Sequence, residues 1–468
     1  MKIHFIGIGG IGVSALARYY LIKGHEISGS DLDLSEITED LKKMGAEIFI
    51  GHKAKNVAED VNLIIYSLAI SLTNPELKIA KKREIKCQTY PQALGRLTKE
   101  YFTIAVCGAH GKGTTTAMIS LILIKAGLDP TVIIGTRLTE FGDSNCRVGE
   151  SSARSLYANQ GTEKYFVIEA DEYRRVFLNY WPRIIVLTNI DKEHLDCYKN
   201  LDEIIEAFKE FISHLPENGI LIANKDNKPI KKLLALNINI NFSTIVKKLI
   251  YYSLQQPEVD EVKKILKIPG KHNVSNALAA LSVARALKIP DEIAFQALSE
   301  YQGAWRRFEI KQSIVNNHQV TVISDYAHHP TEVKATLEAT REKFPNKKIW
   351  AIFQPHQYQR TYYLFDEFKK AFELADEIIL TKIYEVQGRE RKDISEMISS
   401  KVLAQAIKER GKKVHFIKDF QTIPQFLEKK VVSGDVILIM GAGTIYKIVD
   451  YFTCPGEKFR KGVFKENT

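Results

Sequence analysis

The chain has 468 residues, 45% of them hydrophobic and 26% charged, a balance that suits packed domains and excludes wholesale disorder or a collagen-like fibre. Lys and Arg total 66 against 56 Asp and Glu, a net charge of +10, and at about 100 to 200 residues per domain the length predicts roughly three domains. No apolar run nears the roughly 18 residues of a membrane span, and Met1 to Ile6 leads straight into a glycine motif without a signal core, so membrane insertion and export are not expected and a cytoplasmic location is.

The first segment reads strand (Ile3 to Ile6), glycine turn, helix through Leu21, then a strand from Glu26 ending at Asp31. Ala46 to Ile50 and Asn62 to Tyr66 continue the βα alternation to about residue 98. Gly7, Gly9 and Gly12 form GxGxxG between strand and helix, with Gly10 inside the turn and Asp31 at the next strand end. Such a loop brings backbone N–H groups and a helix N-terminus to a diphosphate, and the carboxylate can hold a ribose. Read alone it points to an NAD-dependent oxidoreductase or to another diphosphate ligand.

A second βα pattern starts at Thr103 to Val106, with buried-type strands at Tyr165 to Ile168 and Ile184 to Thr188, and extends to about residue 300. The loop Gly108-Ala-His-Gly111-Lys112-Gly113-Thr114-Thr115-Thr116 follows its first strand and precedes an apolar helix. Backbone donors and Lys112 suit triphosphate oxygens, which predicts ATP binding, although a P-loop places Ser or Thr directly after the Lys and here Gly113 stands there. The hydroxyl duty toward Mg²⁺ then passes to Thr114, with Thr115 as the further candidate. The strand Phe166 to Glu172 ends in three carboxylates, of which Glu169 is the expected metal ligand. His194, 25 residues beyond Glu169, either joins it at a second cation or caps a loop.

Residues 225 to 271 hold ten Lys, no Arg and four acids, a local 10 − 4 = +6. Without Arg or interleaved aromatics, this reads as a solvated basic face rather than a nucleic-acid groove. A third α/β pattern begins near Gln319 to Ile323 and repeats at Lys348 to Phe353, Glu377 to Leu380 and Val436 to Ile439. Cys87, Cys107, Cys146, Cys197 and Cys454 are scattered without a CxxC pair, as expected of reduced thiols.

Taken in order, the G-x-x-G-K loop, EADE, TNIxxxHLD, GKHNVSNALAA (Gly270 to Ala280), GAWRRFE (Gly303 to Glu309), DYAHHPTE (Asp325 to Glu332) and FQPHxYxRT (Phe353 to Thr361) resemble the Mur ligase family, as do HFIGIGGIGVSALA and the GSD at Asp31. The resemblance covers nearly the whole chain. It implies an α/β fold of three domains in series: a Rossmann-like N-terminal domain (1–98) for a UDP-sugar, a central P-loop ATPase (99–302) and a Rossmann-like C-terminal domain (303–468) for the amino acid. The implied reaction is ATP- and Mg²⁺-dependent joining of L-alanine to UDP-N-acetylmuramate through an acyl phosphate, with release of ADP and phosphate, in peptidoglycan precursor synthesis. No nucleic acid or membrane partner is implied.

The resemblance replaces NAD with UDP at Gly7, Gly9, Gly10 and Gly12, and adds Asp31, Ser67 and Ala69 to the sugar-nucleotide site. Lys112, Glu169 and His194 match its catalytic positions. His272, Asn273 and Asn276 match its adenine side, Arg307 a phosphate-reaching arginine, and His328, His329 and Arg360 the neighbourhood of the amino acid, whose carboxylate wants a guanidinium. The chain departs at Ala109, at Gly113 (as in the GKGS of folylpolyglutamate synthases), at Tyr173 to Leu178 and at Gln357. The segment between Asp226 and Gly270 is shorter than usual, which predicts a reduced peripheral sheet. A related ligase adding a preformed peptide, one acting on another carboxylate, and a nucleotide-sensing protein without catalysis stay open beside the leading reading.

Overall fold

The computed structural model describes residues 1–150, 163–235, 248–386 and 390–453, which contain three sheets interleaved with helices. Residues 1–191, 201–266 and 275–301 form one compact unit; 192–200, 267–274 and the chain from 302 onward form a second. Cys454 and part of the basic segment, 236–247, lie outside the described residues.

In the first unit, β1 (Lys2–Ile6), β2 (Glu26–Asp31), β3 (Glu47–Ile50), β4 (Leu63–Tyr66) and β5 (Lys86–Thr89) form a parallel sheet in the order β3-β2-β1-β4-β5. The order reverses beside β1, so the crevice past the carboxyl ends of β1 and β4 is where such a sheet takes its ligand. Gly7 and Ser67 are the first residues beyond those two ends. The connecting helices are α1 (Ile11–Ile22), α2 (Glu36–Lys43), α3 (Pro75–Lys82) and α4 (Tyr90–Glu100). Their ends are written into the sequence: Ser35 and Thr38 form a capping box on α2, whose acids Glu36 and Glu39 sit in the first turn and Lys42 and Lys43 in the last.

The second sheet contains β6 (Phe102–Cys107), β7 (Thr131–Leu138), β8 (Ser144–Arg147), β9 (Tyr165–Ala170), β10 (Ile184–Leu187), β11 (Ile220–Asn224) and β12 (Lys248–Tyr252), in the order β12-β11-β10-β6-β9-β7-β8. It is parallel except for β8, which pairs antiparallel with β7. β10 is buried throughout, as an apolar strand covered on both faces must be. α5 (Lys112–Lys125) starts directly after the glycine loop and is buried from Gly113 to Ser120, so it carries no solvent stripe. Buried Arg18 on α1 donates to Asn145 Oδ1 of β8 at 2.7 Å, and Asn145 Nδ2 donates to Ile11 O at 2.6 Å, tying the first helix to the second sheet. The basic segment supplies the helix Lys228–Ala235, the edge strand β12 and the helix Val259–Ile265.

In the second unit, β13 (Glu309–Val315), β14 (His318–Asp325), β15 (Ile349–Phe353), β16 (Glu377–Leu380), β17 (Val414–Phe416) and β18 (Val436–Met440) lie in the order β13-β14-β18-β15-β16-β17. β13 and β14 form a hairpin turned by Asn316 and Asn317, both at positive φ as a two-residue turn needs. Leu195 packs onto this sheet's core of Ile323, Val333, Phe353, Phe368 and Leu438, which is why residues 192–200 belong to this unit. Among the described residues no helix is long and apolar enough to cross a membrane.

Candidate active site

The glycine loop of the first sheet is held from below by β2. Ser30 O accepts Gly7 N–H at 2.8 Å and Ile8 N–H at 3.1 Å. Ser30 Oγ in turn donates to Glu76 Oε2 at 2.6 Å, and Asn56 Nδ2 donates to Glu76 Oε1 at 2.6 Å. Burial pushes the wholly buried Glu76 carboxyl up, but the nearby His4 imidazole and the hydrogen bonds from Ser30 and Asn56 outweigh it and leave it below its usual range. Asp31, expected at a ribose, accepts Gly9 N–H at 2.7 Å on one oxygen and Leu32 N–H at 2.8 Å on the other. Gly10 is exposed above the loop. Ser67 lies so near Gly7 that a Cβ there would stand 3.1 Å from its own Cβ, and Ser67 Oγ accepts the N–H of the exposed Ala69 at 3.3 Å.

The second loop lies between the ends of β9 and β10. Its shape is set by the first two residues of TNIxxxHLD, which the sequence reading gave no site role: Asn189 accepts His110 N–H on Oδ1 at 2.8 Å and donates to His110 O at 2.9 Å, while Thr188 Oγ1 donates to the same carbonyl at 2.8 Å. Two polar residues directly after the all-apolar β10 were the available signal. Gly108 has φ +133°, and a Cβ there would lie 2.2 Å from Thr188 Oγ1. Gly108→Ala is therefore expected to spoil the loop and abolish measurable nucleotide binding in a calorimetric titration. Asn276 Oδ1 stands 2.5 Å from where a Cβ on Gly111 would be, so this predicted adenine-side residue lies against the loop.

Lys112 donates to Gly108 O at 2.7 Å and Glu172 Oε2 at 3.0 Å, with Asp171 at 3.9 Å. Burial works against its charge, but Glu172 and Asp171 outweigh this and raise the ammonium above its usual range. Glu172, the last acid of EADE, is thus the lysine's partner in this state. Glu169 leans over the start of α5: its Oε1 is 2.5 Å from a would-be Cβ on Gly113 and its Oε2 2.7 Å from one on Gly135. The carboxylate occupies the space that a residue 113 side chain would enter. Thr114 is buried with 6% exposure; the Thr115 and Thr116 hydroxyls are sealed and have no hydrogen-bond partner among the described residues. A carboxylate and hydroxyls in the first helical turn are the hard oxygen donors that a divalent cation such as Mg²⁺ takes.

In the second unit, Arg360 donates through Nε and Nη2 to Glu193 Oε1 at 3.1 and 2.6 Å, and through Nη1 to His356 O at 3.0 Å. Both members of the ion pair are more than nine-tenths buried. Burial pushes the Glu193 carboxyl up, yet Arg360, with His194, His329 and His328, holds it well below the carboxylate range. Glu193 was not among the residues expected at the site. The next residue, His194, has φ +56°, and Gln357, at φ +70°, lines one recess with Glu193, His194 and Arg360.

His329 caps the helix Pro330–Lys343: Thr331 N–H donates to Nδ1 at 3.2 Å, so Nε2 carries the proton and reaches Lys192 O at 3.2 Å. His328 is half-buried, and burial lowers it to about 4. His272 is lowered to about 4 as well, by burial and then by Arg307. Asn273 donates to Pro269 O at 2.6 Å. Of the arginine pair, Arg307 is half-buried with its guanidinium 5.0 Å from the Tyr326 ring. Arg306 is buried among Trp305, Tyr326 and Tyr446 and donates to the Gly441 and Gly443 carbonyls.

A parallel sheet with a glycine loop, a lysine opening the following helix and an acidic neighbouring strand end defines a protein of the P-loop nucleotide-binding class. Three family descriptions match in order: the Mur ligase family catalytic domain over residues 2–102, the middle domain over 106–284 and the glutamate ligase domain over 306–443. The chain is 41% identical to the UDP-N-acetylmuramate–L-alanine ligase of Clostridium botulinum, covering 96% of this chain and 97% of that protein. It belongs to the Mur ligase family. The crystal structure of a UDP-N-acetylmuramate-alanine ligase from Thermotoga maritima superposes with a TM-score of 0.75 at 28% identity, covering 97% of this chain and 98% of that one. A murein peptide ligase of Psychrobacter arcticus shares the fold, with a TM-score of 0.70 at 24% identity over 96% of this chain and 98% of that one.

Proposed function

We propose that the protein is an ATP-dependent ligase that joins L-alanine to UDP-N-acetylmuramate, a step of peptidoglycan precursor synthesis. The observation that carries the reading is the 41% identity to a ligase of that name over 96% of the chain. The lactyl carboxylate attacks the γ-phosphate of ATP to give an acyl phosphate and ADP; the amine of alanine then attacks the acyl carbon, and phosphate leaves. A carboxylate and a triphosphate repel one another, so Lys112 and the loop N–H groups must offset negative charge while keeping the attacking oxygen in line. Bound Mg²⁺ would add to that neutralisation, and we assign it to Glu169 and Thr114. Residues 1–98 are proposed for the UDP-sugar, 99–302 for ATP and 303–468 for the amino acid. From their motifs, His194 is proposed for a second cation, His272 and Asn273 for the adenine side, Arg307 for phosphate, and His328, His329 and Arg360 for the amino acid.

Purified protein offered a panel of UDP-sugars and amino acids is expected to release ADP and phosphate only when UDP-N-acetylmuramate and L-alanine are both present, with product identified by mass. Release of AMP would exclude the acyl-phosphate route, and turnover with an L-alanine-containing tripeptide but not free L-alanine would select the peptide-adding reading. Thr114→Ala is expected to lower the rate and to be partly relieved by raised Mg²⁺, and Thr116→Ala, sealed further along α5, to matter less. Full activity of Thr114→Ala across a Mg²⁺ titration would show that the metal is held another way.

A further inference from the structure

We infer that the Tyr90 hydroxyl binds the carboxylate of the sugar nucleotide and holds it between the two glycine loops. The inference rests on the function proposed above and adds a substrate-binding residue to it. Tyr90 is the first residue of α4, where the Thr89–Gln92 capping box and Pro91 fix the backbone. From there its ring reaches α1: a Cβ on Gly12 would lie 2.9 Å from Tyr90 Cζ and 3.0 Å from its hydroxyl oxygen. The third glycine of the first loop is thus also the seat of this ring.

On the side of the second loop, Glu169 and Asp171 are near enough for their charges to act on the phenol. Burial first, and these carboxylates after it, raise it above its ordinary value, so it remains a protonated donor at neutral pH. The ring is half-buried, and no protein group bonds the hydroxyl among the described residues. Gly12, Tyr90, Glu169 and Asp171 all belong to the first unit, so the arrangement is internal to it.

The chemistry of the ligand follows from this placement. A UDP-sugar with its diphosphate on the Gly7 to Gly12 loop must send its carboxylate toward Lys112, past Glu169 and Asp171. An anion brought beside two carboxylates needs donors facing it, and a neutral phenol supplies one that does not compete with Lys112 for charge. Tyr90 is a side chain so placed, against Gly12 at the end of the first loop and within reach of the charges of the acidic strand end.

Tyr90→Phe removes one oxygen and keeps the ring against Gly12. Calorimetric titration of wild type and variant with UDP-N-acetylmuramate and with UDP-N-acetylglucosamine, which lacks the lactyl carboxylate, isolates the contact. The variant is expected to bind UDP-N-acetylmuramate roughly tenfold or more weakly, the size of a lost hydrogen bond to a charged group. Its affinity for UDP-N-acetylglucosamine and its KM for ATP are expected to stay at wild-type values. An unchanged affinity for UDP-N-acetylmuramate, or an equal loss for both ligands, would overturn the inference while leaving the proposed function standing. A wild-type protein that binds neither UDP-sugar would overturn both.

Discussion

Lys112→Ala is expected to lower turnover by roughly 10²- to 10³-fold, the usual effect of removing one group that stabilises transferring charge. In the present state the ammonium is tethered by Glu172 at 3.0 Å and by Gly108 O at 2.7 Å, so its charge is already aimed across the loop. An incoming triphosphate competes for that ammonium with Glu172, whose other oxygen is buried. Because the lysine acts on charge that grows during phosphoryl transfer, the loss should fall mainly on kcat, with a smaller rise in KM for ATP. A variant with wild-type kcat and only a raised KM would reduce Lys112 to a ground-state contact.

Glu193→Ala is expected to destabilise the second unit by about 3 to 5 kcal/mol, because it leaves the buried Arg360 guanidinium without its counter-charge. The pair joins the loop carrying His194 to the helix Tyr358–Tyr363, so the variant should also bind alanine poorly under conditions where it remains folded. Urea unfolding followed by tryptophan fluorescence reads the first effect through Trp305 and Trp350. A wild-type midpoint would mean that the pair does not hold the loop.

Acid should act on the same unit from two sides. The Glu193 carboxyl is depressed, so its contribution is present above the ordinary carboxylate range and lost as pH falls through its folded value. His272 and His328 stay neutral down to about 4, whereas the unfolded chain takes up those protons from about 6.5; stability therefore declines as pH falls between those values.

The central strands were legible because apolar runs such as Ile184–Leu187 have one explanation, burial on both faces of a parallel sheet. β5 (Lys-Cys-Gln-Thr) and β17 (Val-His-Phe) were not: the first is a polar edge strand and the second an edge strand only three residues long, too short to show a pattern. The same division runs through the site. Glycine loops announce themselves because backbone approach needs glycine at fixed spacing. Thr188, Asn189, Glu172 and Glu193 act through partners 60 to 167 residues away, and one chain carries no sign of which partner each will meet.

Because the chain leaves the first unit at residue 192, returns at 201, leaves again at 267 and returns at 275, the C-terminal body is not a cassette that can be cut out at one bond. A fragment starting at residue 303 would carry Arg360 without Glu193, and the Phe353 core without Leu195. During synthesis from the N-terminus, the strand that carries Arg360's neighbours emerges more than 100 residues after Glu193, so the two early segments must wait for the sheet they belong to. Homologue shuffling at residue 303 would therefore separate partners, and exchanges that take residues 192–200 and 267–274 along with the C-terminal sheet are the ones expected to fold.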